Sequence, residues 1–308
     1  MGLISNIYRK QFVCRYDKAV GVPYHSLSDY EEMKMESGTF LNSNGIEIHY
    51  FNYHYNNYKK DKIVLFLHGI GPGHTAYLAE INEICKRGYK VLTLDYQGCG
   101  ESKGERLNSM LEPTKDVNDL LNHLNLKEEI ALVGHSLGGF TALNIINQRS
   151  EIKKAVILSG FLSVSSLVET FVKSRFISSR IIKYEKKQEP IYFGLDNLNY
   201  LRNTNDKLFF IQSEDDPIVS YLTSLKVVES IDNPNIKTLR VNNRAHNPNY
   251  TDDAVKYLNE TFGEFNLLVK QKKIKTDEEK IEFFKNVSLD RLTAQDEKMF
   301  DEIINFIK

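Results

Sequence analysis

The chain has 308 residues, of which 41% are hydrophobic and 11% aromatic, enough for a sizeable core and incompatible with wholesale disorder. Forty basic and forty-one acidic residues leave a net charge of −1, which gives no reason to expect a nucleic-acid partner. The cysteines, Cys14, Cys85 and Cys99, are odd in number and lack metal-ligand spacing, and no apolar run reaches the roughly 18 residues of a membrane span. These features predict a cytoplasmic protein with reduced thiols and no transmembrane segment.

The amino-terminal part of the sequence predicts an arm followed by the start of a sheet. Residues 1–38 are polar without a strong period and are expected to form the arm, whereas residues 39–308 are expected to form one domain. The pair Asn44-Gly45 lies between two strand-like runs and favours the positive φ angles of a tight turn. The sequence therefore predicts that an antiparallel hairpin opens the sheet.

Six short apolar runs follow, and helical stretches separate them. The runs cover residues 62–69, 89–95, 129–134, 154–160, 207–213 and 236–241. Most are apolar on successive residues, as is typical of strands that are covered on both faces. Between the first two runs, apolar residues recur at helical spacing from Tyr77 to Cys85, and Gly88 ends that helix. The alternation predicts a parallel sheet with helices on both faces.

Two segments interrupt this alternation. Residues 161–205 lie between two core strands and carry apolar residues at helical spacing, which predicts amphipathic helix. Residues 251–293 form a second excursion, rich in Lys and Glu, after the last strand. The final residues, M-F-D-E-I-I-N-F-I-K, are expected to form one more amphipathic helix.

Residues 134–138 read G-H-S-L-G, directly after a predicted strand and before a helical stretch. In this context a G-x-S-x-G serine occupies a sharp, strained turn, and its hydroxyl projects above the carboxyl edge of the sheet. Gly134 and Gly138 leave room for backbone that a Cβ would contact. Ser136 is therefore the candidate nucleophile.

A serine hydroxyl needs a general base, and the base needs an orienting carboxylate, in the chain order serine, acid, histidine. His246 is the only histidine after Ser136 and follows the last predicted strand, which makes it the candidate base. The preceding strand ends in three adjacent acids, Glu214, Asp215 and Asp216. At most one of them can face the imidazole.

An acyl-transfer site also needs hydrogen-bond donors for the oxyanion. The backbone N–H of Leu137 is one candidate, and that of Ile70, in the glycine-rich loop H-G-I-G-P-G-H, is the other. His68 is expected to brace this loop. No metal is expected, because no carboxylate lies at ligand spacing from His68 or His74.

These segments resemble the α/β-hydrolase superfamily, in particular its esterases, monoacylglycerol lipases and serine aminopeptidase-like proteins. The matching pieces are the H-G-x-G loop, D-Y-Q-G-C-G-E-S at 95–102, G-H-S-L-G, D-D-P-I-V and the final A-H. The resemblance implies an α/β-hydrolase fold, with a mostly parallel sheet, an antiparallel N-terminal hairpin, helices on both faces and a small helical cap in 161–205. It further implies that Asp216 is the triad acid, with Asp215 as the alternative, and it offers no counterpart for 251–293.

We therefore predict a serine hydrolase that cleaves a carboxylic ester through an acyl-enzyme, without a cofactor and with a small-molecule ester or lipid as substrate. A lysophospholipase or monoacylglycerol lipase and a serine aminopeptidase-like peptidase share this mechanism and stay open. A catalytically inactive binding protein is disfavoured because all parts of the triad are present. A dinucleotide site, suggested by the same glycine-rich loop and by Asp95, would need glycine at the position of His74.

Overall fold

A computed structural model describes residues 3–308 and contains an eight-stranded sheet. The strands β1 to β8 are Lys34–Leu41, Glu47–His54, Lys62–Leu67, Lys90–Leu94, Glu129–His135, Lys154–Leu158, Lys207–Ser213 and Ile236–Val241. The last six strands coincide with the six apolar runs of the sequence, which confirms that prediction.

The order of the strands across the sheet is β1-β2-β4-β3-β5-β6-β7-β8. Strands β3 to β8 are parallel, whereas β1 is antiparallel to β2 and β2 is antiparallel to β4. The chain runs from β3 outwards to β4 and then returns to β5 on the other side of β3, so the winding reverses between β3 and β5. In open α/β sheets, ligands bind at this reversal, beyond the carboxyl ends of the strands. The predicted mostly parallel sheet with an N-terminal hairpin is confirmed.

The connection between β1 and β2 is longer than the tight turn that Asn44-Gly45 suggested. Residues 42–46 join the two strands, and Gly45 has the positive φ, 74°. The side chain of Asn42 shapes this longer loop, because its Oδ1 accepts hydrogen bonds from the N–H groups of Asn44 (3.0 Å) and Ile46 (2.9 Å). These bonds add to the backbone bonds of the loop, in which the Gly45 N–H donates to the Asn42 carbonyl (2.8 Å) and the Asn42 N–H donates to the Ile46 carbonyl (2.9 Å).

Thirteen α-helices accompany the sheet in residues 3–308. The helices α1 to α13 are Leu3–Gln11, Leu78–Lys86, Glu112–Leu124, Leu137–Gln148, Val164–Phe171, Arg175–Gln188, Pro190–Phe193, Asn197–Asn203, Leu225–Glu229, Asp252–Lys270, Asp277–Phe284, Leu289–Leu292 and Glu297–Ile307. The helix after β3 and the terminal helix were both predicted, and both are present as α2 and α13. Within the described range, none of the helices combines the length and apolar character needed to cross a bilayer.

Helices cover both faces of the sheet. Helices α2 and α13 pack on one face, and α3, α4 and α9 pack on the other. Strand β3 shows the consequence for the sequence, because Ile63, Leu65 and Leu67 belong to one core cluster while Val64 and Phe66 belong to the opposite one. A strand buried on both faces must be apolar on successive residues, as the sequence of β3 is.

Three segments lie outside the alternation of strands and helices, and two of them contribute apolar side chains such as Val13 and Leu201 to the core. The range 1–38, interpreted as an arm, contains α1 and the start of β1, and α1 packs against α6; residues 1 and 2 lie outside the described range. The range 161–205, interpreted as a cap, carries α5 to α8, and the range 251–293 carries α10 to α12. The division of the chain into arm, core and cap stays a prediction.

A buried carboxyl group joins α1 and α6 to the core. Glu185 on α6 accepts hydrogen bonds from the Tyr8 hydroxyl of α1 (2.7 Å), from Ser109 Oγ (2.6 Å) and from the Met110 N–H (3.0 Å). Burial of this side chain raises the pKa of Glu185 from 4.5 to about 7. The three hydrogen bonds oppose the rise, but they do not cancel it.

The raised pKa predicts that Glu185→Gln changes how stability depends on pH. Because folding favours the protonated carboxyl group, its contribution to the stability is complete below pH 4.5 and is lost as pH rises to about 7. Glutamine is neutral throughout, and its amide can donate to the Tyr8 oxygen. Relative to the wild type, the variant should therefore gain about 3 kcal/mol in the free energy of unfolding between pH 4.5 and 8.

Urea unfolding at several pH values measures this difference. The exposed Glu169 on α5 provides a matched control, because Glu169→Gln removes a carboxylate that is already solvated. If Glu185→Gln and Glu169→Gln follow the pH dependence of the wild type equally, Glu185 ionises in the folded protein as it does in water.

Candidate active site

The four loops that carry the predicted site residues leave the same edge of the sheet. Ile70 follows β3, Ser136 follows β5, Asp216 follows β7 and His246 follows β8. Because these strands are parallel, their carboxyl ends meet at one edge. This edge includes the point between β3 and β5 where the winding reverses.

The turn between β5 and α4 holds Ser136 in an unusual backbone conformation. Ser136 has φ 56° and ψ −118°, a region that non-glycine residues adopt only when their surroundings impose it. Its N–H donates a hydrogen bond to the Leu158 carbonyl of β6 at 2.8 Å. A Cβ on Gly134 would overlap the Gly138 carbonyl, and a Cβ on Gly138 would overlap the Leu67 carbonyl. The two glycines thus allow α4 to begin directly against β3 and β5.

His246 and Asp216 form a hydrogen-bonded pair. The His246 Nδ1 lies 2.9 Å from one carboxylate oxygen of Asp216 and 3.0 Å from the other. An ionised carboxylate only accepts hydrogen bonds, so Nδ1 carries the proton and Nε2 is left as an acceptor. The Asp216 side chain is fully buried, and its Oδ1 also accepts from the N–H groups of Ile218 (2.8 Å) and Val219 (2.9 Å). The backbone therefore fixes the carboxylate that orients the imidazole.

Asp215, the alternative acid, has a different partner. The Ser213 hydroxyl donates a hydrogen bond to Asp215 Oδ1. Burial opposes the charge of this carboxylate, but hydrogen bonds from Ser213 and from nearby backbone N–H groups outweigh burial and lower the pKa of Asp215. Glu214 is exposed. Of the three adjacent acids, Asp216 is the one in contact with His246.

The two candidate oxyanion donors flank the serine. A Cβ built on Gly69 would lie 3.2 Å from the Ser136 Cβ, so the loop after β3 passes directly beside the turn. Within the described part of the chain, the backbone N–H groups of Ile70 and Leu137 donate to no protein acceptor. Both amides are therefore available to a ligand.

His68 contacts the loop that carries Ile70. Its Nδ1 donates a hydrogen bond to the Gly69 carbonyl at 2.7 Å, and its Nε2 accepts one from the Tyr96 N–H at 3.3 Å. Complete burial lowers the pKa of His68 to about 4, so the ring is neutral at physiological pH, as these two bonds require. The His68 ring also stacks on Tyr96, with 3.9 Å between ring centroids.

His135, the residue before Ser136, links the loop after β3 to the loop after β8. Its Nε2 donates to the His246 carbonyl at 2.7 Å, and its Nδ1 accepts from the Tyr77 hydroxyl at 3.0 Å. The Tyr77 oxygen in turn accepts the Gly69 N–H at 3.0 Å. Burial lowers the pKa of His135 to about 3, which keeps the ring in the neutral form that donates at Nε2 and accepts at Nδ1.

Sequence reasoning missed this chain of three hydrogen bonds. His135 occupies the variable position of G-x-S-x-G, and Tyr77 was interpreted as one of the apolar residues of a helix. The spacing of 58 residues between the two side chains carries no signal in the sequence. These hydrogen bonds depend on the fold, which brings the loops that carry them to one edge of the sheet.

Asp95, the residue considered for binding a dinucleotide ribose, accepts hydrogen bonds from other groups of the protein. The side chain of Asp95 is buried, and its Oδ1 accepts from the His74 N–H (2.7 Å) and the His74 Nδ1 (2.8 Å). Its Oδ2 accepts from the Glu101 N–H at 2.8 Å. Asp95 thus ties the glycine-rich loop to the segment after β4. Across residues 3–308, His, Cys, Asp and Glu side chains form no group of three that could hold a metal ion.

The sheet order, the reversal between β3 and β5 and the strained serine turn define the class of protein. The chain has the α/β-hydrolase fold, and part of its sequence is similar to hydrolases of the α/β-hydrolase superfamily. The family model described as serine aminopeptidase, S33, matches residues 58–191.

Solved structures and curated relatives agree with this assignment. The esterase Pf2001 of Pyrococcus furiosus superposes with a TM-score of 0.56 at 20% identity, over 74% of this chain and 88% of that one. Est1E of Butyrivibrio proteoclasticus, solved with ferulic acid bound, gives a TM-score of 0.58 at 17% identity, over 75% and 98% of the two chains. A 2-hydroxy-6-oxo-6-phenylhexa-2,4-dienoate hydrolase of Comamonas testosteroni is 33% identical over 115 residues, 36% of this chain and 40% of the relative. The chain spans about half the length of the curated relatives it matches.

Proposed function

We propose that the protein is a serine hydrolase that cleaves a carboxylic ester through an acyl-enzyme intermediate. The observation that carries the proposal is the hydrogen-bonded Asp216–His246 pair at the sheet edge where Ser136 occupies its strained turn. In this proposal Ser136 is the nucleophile, His246 the general base and Asp216 the group that orients the imidazole.

The first half-reaction acylates the serine. The Ser136 oxygen attacks the ester carbonyl carbon while its proton passes to His246 Nε2. The charge that develops on the carbonyl oxygen is stabilised by the N–H groups of Ile70 and Leu137. The tetrahedral intermediate then collapses, and the alcohol leaves with the proton from His246.

The second half-reaction releases the acid. Water gives a proton to His246 Nε2 and attacks the acyl carbon, and the second intermediate expels the Ser136 oxygen, which takes the proton back. Asp216 stays ionised throughout and stabilises the imidazolium that forms in each half. Neither half requires a cofactor or a metal ion.

A small cavity one helical turn along α4 from Ser136 is the candidate pocket for the acyl group of the substrate. The cavity has a volume of about 50 Å³ and lies between α4 and the segment 161–205, with Phe140, Leu162, Tyr192 and Phe193 among its lining residues. The Phe140 N–H donates to the Ser136 carbonyl at 3.0 Å, so this wall begins one helical turn from the nucleophile. The lining also includes the polar residues Asn144, Ser163 and Asn197, and the small volume suits a short chain.

The family model gives a second candidate, because it is described as serine aminopeptidase, S33. An aminopeptidase would use the same three side chains on an amide, whose leaving group must be protonated as an amine. Cleavage of a lipid ester, by a lysophospholipase or monoacylglycerol lipase, would use the same steps with a longer acyl group.

A chromogenic substrate series distinguishes these candidates. We expect p-nitrophenyl butyrate to be hydrolysed at least about tenfold faster than the dodecanoate, because the extra methylenes cannot enter a small pocket. Aminoacyl p-nitroanilides should react more slowly than the butyrate ester. Faster hydrolysis of the dodecanoate would favour a lipase, and faster hydrolysis of an anilide would favour the peptidase. Absence of turnover on all substrates, with labelling by a fluorophosphonate also absent, would indicate an inactive binding protein.

A further inference from the structure

The insertion at 251–293 is joined to the core by a narrow neck directly after the His246 loop. We define the neck as residues 249–251 and 294–296. Three contacts close it: the Thr251 N–H to the Ala294 carbonyl (3.0 Å), the Asp296 N–H to the Asn249 carbonyl (2.8 Å), and an antiparallel bridge between Tyr250 and Gln295. The insertion therefore enters and leaves the fold at one point.

The side chain of Arg244, two residues before His246, bridges the two sides of this neck. Its Nε lies 2.7 Å from Asp252 Oδ1, in the first turn of α10, and its Nη2 lies 3.1 Å from Asp296 Oδ2, at the start of α13. The Arg244 side chain is 16% exposed, so its contact with Asp296, itself 25% exposed, is partly shielded from water. One guanidinium group thus connects the His246 loop to the beginning and to the end of the insertion.

The backbone of the same loop is strained. Asn243 and Ala245 have positive φ angles, 62° and 46°, although neither is glycine. Such conformations persist only when the surrounding structure imposes them. The Arg244 N–H donates to Ser213 Oγ at 3.1 Å, and its carbonyl accepts from the Asn247 N–H at 3.0 Å. Hydrogen bonds therefore hold the main chain of Arg244, and ion pairs hold its side chain, directly before the strained Ala245.

The neck is also fixed to the core. The side chain of Asn249 is buried, and its amide donates to Gln295 Oε1 at 2.7 Å and to Glu80 Oε1 of α2 at 3.3 Å. Movement of the neck would therefore have to break buried hydrogen bonds. The neck is therefore a rigid segment, and the Arg244 guanidinium group forms its ion pair with Asp296 of that segment.

We propose that Arg244 is a positioning residue, and that the neck of the 251–293 insertion sets the position of His246 through it. The proposal rests on the proposed function, in which His246 is the general base. It gives the insertion a role in the reaction although none of its residues belongs to the candidate triad. The planar guanidinium group suits this role, because it can contact two separate carboxylates from fixed directions, which an ammonium group cannot.

The test replaces Arg244 by lysine in the full chain and compares it with a matched variant, Arg291→Lys. Arg291 binds the two oxygens of Asp253 with its Nε and Nη2, both at 2.7 Å, and thus makes a two-contact ion pair within the insertion, at a more exposed position than Arg244. Two quantities are measured on each variant: kcat and KM for p-nitrophenyl butyrate, and hydrogen exchange of the backbone amides in 242–249.

We expect Arg244→Lys to lower kcat about tenfold with KM within about twofold, because a misplaced base affects the chemical step and leaves ground-state binding intact. Exchange in 242–249 should become faster in this variant and stay at the wild-type rate in Arg291→Lys. Equal effects of the two variants would reduce Arg244 to a general contribution to stability and overturn the proposal. Faster exchange with unchanged kcat would also overturn it, because the loop would then move without consequence for the reaction.

Failure of the proposed function gives a different result. A wild-type protein that neither turns over esters nor reacts with a fluorophosphonate contradicts the triad, whatever the exchange data show. A wild-type protein that is active, with Arg244→Lys equally active, contradicts only the positioning role.

Discussion

Ser136→Ala is expected to lower kcat for p-nitrophenyl butyrate by at least about 10⁴-fold while the protein stays folded. The hydroxyl supplies the attacking oxygen, and its removal leaves only oxyanion stabilisation and substrate binding. The fold should tolerate the change, because the glycines at 134 and 138, and not the hydroxyl, allow the close approach of α4 to β3. The rates of the wild type and of Ser136→Ala at saturating ester measure the loss in kcat. Thermal unfolding of the two proteins shows whether the variant stays folded.

Ser159 offers a matched control for the assignment. It follows β6 at the same edge of the sheet, also has a positive φ (46°), and is buried. A fluorophosphonate should label Ser136 in the wild type and in Ser159→Ala, and should label nothing in Ser136→Ala. Labelling that survives Ser136→Ala would identify a different nucleophile.

The second large effect is expected for the acid. Asp216→Asn should lower kcat about 10³-fold or more, because an amide cannot stabilise the imidazolium and can stabilise the wrong tautomer of His246. Asp215→Asn should lower kcat less than about tenfold, since Asp215 contacts Ser213 and not the imidazole. The two neighbouring substitutions differ by one position and remove the same charge, so each controls for the other.

Mutant rates at a fixed pH compare the two variants directly. A greater loss in Asp215→Asn than in Asp216→Asn would show that the loop after β7 adopts another register during the reaction. Equal and small losses would mean that the carboxylate contributes little, and that His246 is oriented by its backbone alone.

Much of the fold could be predicted from the sequence, because it is recorded in local patterns. Successive apolar residues mark strands buried on both faces, and most of the parallel runs were recognisable by that pattern. The serine turn was recognisable because its glycines are required by close backbone contacts at fixed offsets. The serine, the acid and the histidine all lie at one edge of the sheet because each follows the carboxyl end of a parallel strand.

The details that could not be predicted depend on contacts between distant residues. The resemblance favoured Asp216 over Asp215, but residue type alone does not distinguish two adjacent aspartates; in the structure, Ser213 and backbone N–H groups separate them. The length of the hairpin loop depends on bonds from the Asn42 side chain to the Asn44 and Ile46 N–H groups, which the pair Asn44-Gly45 alone does not indicate. The neck of the insertion depends on residues more than forty positions apart, for which the sequence gives no spacing rule.

The hydrogen bonds through His135 have a consequence for how the site meets its substrate. Each group in this series donates to the next. The Gly69 N–H donates to the Tyr77 oxygen, the Tyr77 hydroxyl to His135, and the His135 ring to the His246 carbonyl. Neither the loop beside the oxyanion donors nor the loop of the base can shift alone without breaking a member of this series. In the proposed mechanism the site is therefore arranged when the chain folds, and the substrate does not have to supply binding energy to assemble it.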